Sequence, residues 1–307
     1  MADKGISLDI VIVNYNSTDH LLRCLESVYT CLREIPAEVV IQDNCSTDNA
    51  DRVVSMFPTV ALFKNSYNMG FAKAVNQGLR QGASPYVVLL NPDSYVMQGF
   101  FASMIRYLNQ NPSVGVVGPK VLNEDGSVQG SARSFPSPLT ALFGRSSLLT
   151  RWFPENPISK RNILTDRFDG VTAMEVDWVS GACMVVRRKA IVDVGLLDER
   201  FFLFWEDADW CKRMWEAGWK VVYYPQAIVK HLVGGSSQRS RFRSIVEFHK
   251  SAYRLFAKHA KGAQRFAIPL AMGALAVRLL LSLSWYAMHH WSGRIYRQSR
   301  PKNTLRI

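Results

Sequence analysis

The stretch Tyr86-Val-Val-Leu-Leu-Asn-Pro-Asp93 constrains this chain more than any other. An apolar run this short, bounded by turn residues, reads as a strand buried on both faces. Pro92 cannot continue a central strand, so the strand stops there. Asp93 is therefore presented at the carboxyl end of a buried strand, where open α/β sheets bind their ligands. An acid in that place can hold a divalent cation against a phosphate. Asn, Pro and Asp are also ordinary turn formers, so the tripeptide alone leaves a plain turn open.

The preceding chain repeats the pattern. Leu8–Val13 is a strand that ends in Asn14-Tyr15-Asn16, and Ser17, Thr18 and Asp19 are N-caps for a helix through about Leu32. Glu38–Gln42 is a second strand, ending in Asp43-Asn44-Cys45-Ser46-Thr47-Asp48, and Thr59–Phe63 is a third. A Gly/Asn loop, Asn65 to Phe71, then leads into a helix through about Gly82. Strands alternating with helices at this rhythm predict a parallel, doubly wound sheet. Asn14, Asp43 and Asp93 fall at three of its strand ends. No Gly-x-Gly-x-x-Gly follows the first strand and no Walker loop is present, which argues against dinucleotide and P-loop folds.

Further on come a helix over 99–110, a strand at Val114–Val117 and a long Gly/Pro/Ser/Arg-rich segment, 123–170, of the kind that forms lids or stays disordered. Strand character returns over Glu175–Val186, and Phe201–Trp205 leads into a helix opening with Glu206, Asp207 and Asp209. Acids in a first turn suit the helix dipole. Three carboxylates beside Trp205 and Trp210 would also raise one another's pKa values, as at functional sites. Trp219–Tyr224 and Ala227–His231 close the core. His231, before Gly234-Gly235-Ser236-Ser237, fits either a structural role or a ligand.

Charge divides the chain. Residues 239–307 hold 14 Lys/Arg and one acid, Glu247, while residues 1–238 are nearly neutral, with 23 Lys/Arg and 24 acids. A basic tail implies an anionic partner, nucleic acid or a membrane surface. The tail starts with an apolar stripe at 245, 248, 252, 255 and 256. It continues through Phe266–Met288, long enough to cross a bilayer but interrupted by Pro269 and Arg278. An interfacial or shallowly inserted helix is favoured over a spanning one, with a packed hairpin of a soluble protein as the other reading. The N-terminus, Met-Ala-Asp-Lys-Gly, lacks the apolar region of a secretory signal. Five cysteines without a Cys-x-x-Cys pair are expected to be reduced thiols of a cytosolic protein.

Six motifs in order carry a resemblance: Val13-Asn-Tyr-Asn, Asp43-Asn-x-Ser-x-Asp48, Asn68-x-Gly-Phe-Ala72, Leu90-Asn-Pro-Asp93, Val179-Ser-Gly-Ala182 and Trp205-Glu-Asp-x-Asp209. Together, over roughly residues 8–260, they resemble the family 2 inverting glycosyltransferases of GT-A fold, in particular the rhamnosyltransferase-like and galactofuranosyltransferase-like members. The resemblance implies an α/β domain over 1–238, with a nucleotide-binding half to about 98 and an acceptor half over 99–238, followed by a helical membrane-associated tail, 239–307. By the same resemblance Asn14 and Asp43 hold the base and ribose of a nucleotide sugar. Asn68, Gly70 and Ala72 belong to the loop that closes over the nucleotide. Asp93 matches the last acid of an Asp-x-Asp metal motif that here reads Asn-Pro-Asp. A divalent cation, Mg2+ or Mn2+, then leans on Asp93, the donor phosphates and His231, with Asn91 beside them. Asp207 matches the catalytic base, with Glu206 as its neighbour. Trp178, Ser180, Gly181 and Trp205 match the acceptor side, and Arg133 is a candidate phosphate contact.

The expected activity is inverting transfer of a sugar, rhamnose by resemblance, from a nucleotide-diphosphate donor. The expected acceptor is a lipid-linked or growing cell-surface glycan at the cytoplasmic face of the membrane. The chemistry needs one base and a neutralised leaving diphosphate, so the absence of a nucleophilic triad fits. Two other readings remain: a catalytically silent membrane adaptor of the same fold, and a nucleic-acid-binding protein using the basic tail. The second lacks helix-turn-helix, RNP and zinc patterns.

Overall fold

The structure is a computed structural model that describes residues 8–136, 163–165, 169–232 and 241–298, with side chains to Met288. Most of the long polar segment (137–162 and 166–168) and the Gly234–Ser237 run lie outside the described residues. The chain divides into two compact units, Met1–Gln238 and Arg239–Ile307.

The first half of the larger unit alternates as its apolar periodicity demands. In order come β1 (Leu8–Asn14), α1 (Thr18–Leu32), β2 (Ala37–Asp43), α2 (Arg52–Met56), β3 (Ala61–Lys64), α3 (Phe71–Leu79) and β4 (Tyr86–Leu90). These strands pair in parallel in the order β3-β2-β1-β4. Every residue of β1 and β4 is buried, as continuous Val/Ile/Leu runs covered on both faces should be.

The second half supplies β5 (Ser94–Val96), α4 (Phe100–Gln110), β6 (Val114–Leu122), β7 (Ala132–Arg133), β8 (Met174–Glu175), β9 (Trp178–Val179), β10 (Cys183–Arg187), α5 (Arg188–Val194), α6 (Glu206–Glu216) and β11 (Lys220–His231). The sheet continues from β4 through β10, β6 and β11 to β5. It is mostly parallel, but β10 enters antiparallel to both β4 and β6. The expected doubly wound, mostly parallel sheet is therefore what forms; an apolar run reports burial and not direction, so it leaves open which strand is reversed. The single strand expected over Glu175–Val186 is three pieces. β8 joins the main sheet beside β11, β9 pairs with β7 in a separate two-stranded sheet, and β10 enters the middle of the main one.

Two polar contacts fix the frame. Asp9, 1% exposed inside β1, pairs with the Arg188 guanidinium at the start of α5 and accepts a hydrogen bond from Ser84 N at 3.0 Å. The charge is buried because it is paired. The other contact caps α1 from outside. Ser17 stands at the N-cap but donates its hydroxyl to Tyr15 O at 3.3 Å and caps nothing; the Asp48 carboxylate accepts from Thr18 N at 2.9 Å and from Thr18 Oγ1 at 2.7 Å instead. An acid from the loop after β2 therefore does the work expected of a local Ser or Thr.

The smaller unit is α7 (Arg241–His259), a 3-10 turn (Gly262–Ala267) and α8 (Ile268–Gln298). Its two long helices pack on each other, with the Arg278 guanidinium 5.8 Å from the Phe248 ring centre. Leu255 of the expected stripe is buried, but so are Glu247, His249 and Ser251, so the covered part of α7 is broader and more polar than the stripe. Phe266, Leu270, Met272, Val277, Leu280, Leu281, Trp285 and Met288 are all exposed. Among the described residues one helical stretch, Gly262–Met288, is long and apolar enough to cross a membrane, and none of it is buried.

Candidate active site

The carboxyl ends of β1 and β2 are stitched together by short polar side chains. Asn14, wholly buried, donates from Nδ2 to Asp43 Oδ1 at 2.8 Å and to Ser46 Oγ at 3.1 Å. Asp43 Oδ2 accepts from Ser46 N at 3.0 Å, and Asn16 Oδ1 accepts from Thr47 N at 2.7 Å. Asn16, Cys45 and Asn49 take left-handed backbone conformations, tolerable at these polar turn positions. Beside them opens a cleft of about 360 Å³ lined by Asp43, Cys45, Ser46, Thr47, Asn49, Ala50, Asp51, Lys64 and Asn65. Asp43 borders this cleft; Asn14 lies behind it and orients it.

The next loop is held from beneath. Asn68 Oδ1 accepts from Gly70 N at 3.0 Å, and Asn44 Nδ2 donates to Gly70 O at 3.0 Å. Gly70 has φ +91°, and a Cβ there would sit 2.6 Å from Phe202 O, so only glycine fits. Phe71 N donates to that same carbonyl at 2.7 Å. Ala72 is fully buried. The loop is thereby tied to Phe201–Trp205, the segment that delivers α6.

After β4, Asn91 N donates to Ala182 O at 3.0 Å, and Asp93 is 3% exposed. Antiparallel pairing of β5 with β11 sets Ser94 opposite His231 and so brings His231 to Asp93. Nε2 of His231 lies 3.3 Å from Asp93 Oδ1, yet that oxygen is buried and takes no hydrogen bond. An orphaned buried carboxylate oxygen is costly unless a cation completes it. The 3.3 Å spacing is near the roughly 3 Å between neighbouring donors on one ion bound at about 2.1 Å. Asp93 and His231 therefore fit a divalent cation whose remaining positions go to phosphate and water. Among the described residues no group of three His, Cys, Asp or Glu could enclose one alone.

The carboxylates of α6 divide. Asp209 forms a buried ion pair with Arg213 at 2.9 Å, and Arg213 is further held by the carbonyls of Val194 and Leu196. The expected three-carboxylate cluster is thus a pair, Glu206 and Asp207. Glu206 is 5% exposed and its Oε2 has no hydrogen-bond partner. Burial, then the charge of Asp207, pushes its carboxyl well above the usual range. Asp207 accepts from Gly181 N at 2.9 Å and from Ala208 N at 2.8 Å. Burial raises it too, opposed by those two amides and by the positive charge of Arg133. Phe204 and Trp205, just before the pair, both have left-handed backbones, φ +67° and +69°. Consecutive non-glycine residues in that region cost on the order of 1–3 kcal/mol each and mark a segment held in place by its surroundings.

Aromatic rings flank this pair. Trp178 and Trp205 lie with ring centres 5.9 Å apart, and the Arg133 guanidinium sits 5.2 Å from the Trp178 ring centre. Ser180 N donates to Ser131 O at 2.8 Å, fixing the turn that carries Gly181. Phe135 and Lys212, which no sequence motif singled out, extend the wall, with Lys212 Nζ 5.5 Å from the Phe135 ring centre. All five cysteines are free thiols. Burial pushes up the thiols of Cys24, Cys183 and Cys211, the last to about 12, so these three fill space rather than attack substrate.

A mixed sheet flanked by helices, with polar side chains at its strand ends and a carboxylate pair opening α6, has the architecture of the GT-A glycosyltransferases. Residues 7–246 match the family described as Glycosyltransferase like family 2, and the chain belongs to it. It is 32% identical over 284 residues, 88% of its length and 91% of the relative's, to the N-acetylglucosaminyl-diphospho-decaprenol L-rhamnosyltransferase of Mycobacterium tuberculosis. Its fold is shared with a mannosyltransferase from Pyrobaculum calidifontis solved with GDP-Man and Mn2+ (TM-score 0.54, 17% identity, 96% of this chain and 81% of that one). It is also shared with GalNAc-T7 solved with UDP, GalNAc and Mn2+ (TM-score 0.60, 16% identity), where it covers 85% of this chain and 49% of that longer one.

Proposed function

We propose that this glycosyltransferase moves a hexose, rhamnose by the name of its mycobacterial relative, from a nucleoside-diphosphate donor to a hydroxyl of a lipid-linked glycan, with inversion. The observation that carries the reading is the placement of Asp207. Its carboxylate is bound to Gly181 N, and the adjoining Ala182 O is bound to Asn91 N, next to Asp93. A proton acceptor and a diphosphate site thus stand on either side of one short turn.

Asp207 takes the proton of the attacking acceptor hydroxyl. Its two backbone amides favour the charged form and aim it, and burial disfavours a second charge on Glu206 beside it. Asp43 orients the nucleoside through its bordering of the polar cleft. Asp93 and His231, with Asn91 beside them, would hold a divalent cation, which would supply neutralisation of the departing diphosphate. The C–O bond to phosphate breaks as the new C–O bond forms from the opposite face, and no enzyme nucleophile takes part. The flat faces of Trp178 and Trp205 pack against the acceptor sugar, and Arg133 lies within reach of its phosphates.

Asp207→Asn abolishes transfer and leaves donor binding nearly intact, because an amide keeps the shape but cannot accept a proton. Turnover and calorimetric titration of UDP and dTDP check both halves; a dead Glu206→Gln beside an active Asp207→Asn reverses the assignment. Transfer needs the Asp207 carboxylate, so activity falls as pH drops through its raised value. Arg133→Met removes a charge that holds this value down, so the acid limb of the kcat profile moves to higher pH. An acid limb that stays put or moves down contradicts the pairing.

The acceptor reading places the enzyme on the cytoplasmic face of a membrane. The uncovered apolar α8 and the basic excess of residues 239–307 support it, since each Lys or Arg near an anionic leaflet contributes about 1 kcal/mol. Arg278, turned onto Phe248, favours a helix lying in the interface over a lone span. The full chain is expected to sediment with anionic vesicles, less with neutral ones, and to detach only partly in high salt. Leu280→Asp with Leu281→Asp should release it while nucleotide binding persists; unchanged sedimentation overturns the docking role of α8.

A further inference from the structure

We infer that Gln129 is a positioning residue: it holds His231 in the tautomer whose Nε2 lone pair faces Asp93, so that the two together receive a divalent cation. The inference rests on the metal-assisted reading above and assigns a residue to which no sequence motif gave a role.

A short chain of donors and acceptors fixes the ring. Gln129 is 9% exposed, and its amide spans two groups of one residue. Nε2 of Gln129 donates to the backbone carbonyl of His231 at 2.8 Å. A carbonyl can only accept, so the amide nitrogen must face it and Oε1 must face the other way. That oxygen lies 3.1 Å from His231 Nδ1. Oε1 can only accept, so Nδ1 carries the hydrogen. In a neutral imidazole one nitrogen donates and the other accepts. Nε2 is then the bare nitrogen, and it lies 3.3 Å from Asp93 Oδ1, itself an acceptor without a hydrogen bond.

Two acceptors brought that close in a buried place repel unless a cation lies between them. The amide thus does for His231 what carboxylates and carbonyls do for metal-binding histidines in general: it fixes ring orientation and tautomer from behind. Gln129 is well placed to be rigid. Its N donates to Val121 O at 2.8 Å and its O accepts from Ser131 N at 2.7 Å, in the hairpin that leaves β6. The same segment bonds Ser180 through Ser131 O and bears Arg133 four residues on. One strip of backbone therefore joins the cation end of the site to the acceptor wall.

The test uses the full chain and reads the ring before any metal is added. Long-range 1H–15N spectra at about pH 8.5, where ordinary histidines are neutral, with His231 assigned by its loss in His231→Asn, should show Nδ1 protonated and Nε2 bare. Gln129→Leu should lose that preference and bind Mn2+ in the presence of UDP about 10–100-fold more weakly by calorimetry. Gln129→Glu still accepts from Nδ1–H and should keep both the tautomer and most of the affinity; circular dichroism confirms that the variants are folded. The inference is overturned by an Nε2-protonated ring in the parent protein, by Gln129→Leu with parental tautomer and affinity, by Gln129→Glu losing as much as Gln129→Leu, or by a parent that takes up no Mn2+ with UDP. Failure of the transferase reading shows separately, as a correct tautomer and tight Mn2+ binding in a protein that transfers no sugar.

Discussion

The antiparallel pairing of β10 with β4 is the constraint from which the rest of the site follows. Cys183 lies opposite Leu90, so the residues entering β10 run beside those leaving β4. Ala182 O accepts from Asn91 N at 3.0 Å and from Ser94 Oγ at 3.1 Å, pinning the turn that carries Asp93. One residue earlier, Gly181 N reaches Asp207. A parallel β10 would send Ser180–Ala182 to the other end of the sheet, away from Asn91 and Asp93.

Electrostatics then divides the labour among similar side chains. Four carboxylates of the larger unit end in different states because their partners differ. Asp9 and Asp209 each have an arginine, and they stabilise the frame. Asp93 has a histidine beside it and an oxygen left over, which suits a cation. Asp207 has two backbone amides and a distant guanidinium, enough to hold a charge but not to neutralise it. Only the last has no side-chain partner of opposite charge in hydrogen-bond contact, which is what the proposed role as base requires.

Much of this was legible in the sequence for local reasons. Polar residues closing continuous apolar runs marked the ends of β1, β2 and β4. Paired acids after an aromatic run marked α6. What stayed hidden depends on partners far along the chain. Asp48 caps α1 from a loop 30 residues away, and Asn14 spends its amide on Asp43 at a separation of 29. Asp209 looks like a third member of the acid cluster until Arg213 folds onto it. Gln129 lies in a small polar hairpin with no periodicity and meets His231 across 102 residues. The direction of β10 was equally invisible, since Val185 and Val186 are apolar in either sense.

The central claim is that one base and one diphosphate site, on opposite sides of the Gly181–Ala182 turn, displace the leaving group directly. The anomeric configuration of the product, read from its one-bond 1H–13C coupling and compared with that of the nucleotide sugar supplied, tests it. The account predicts inversion at the anomeric carbon. Retention would require a covalent intermediate or same-face attack, and would contradict it.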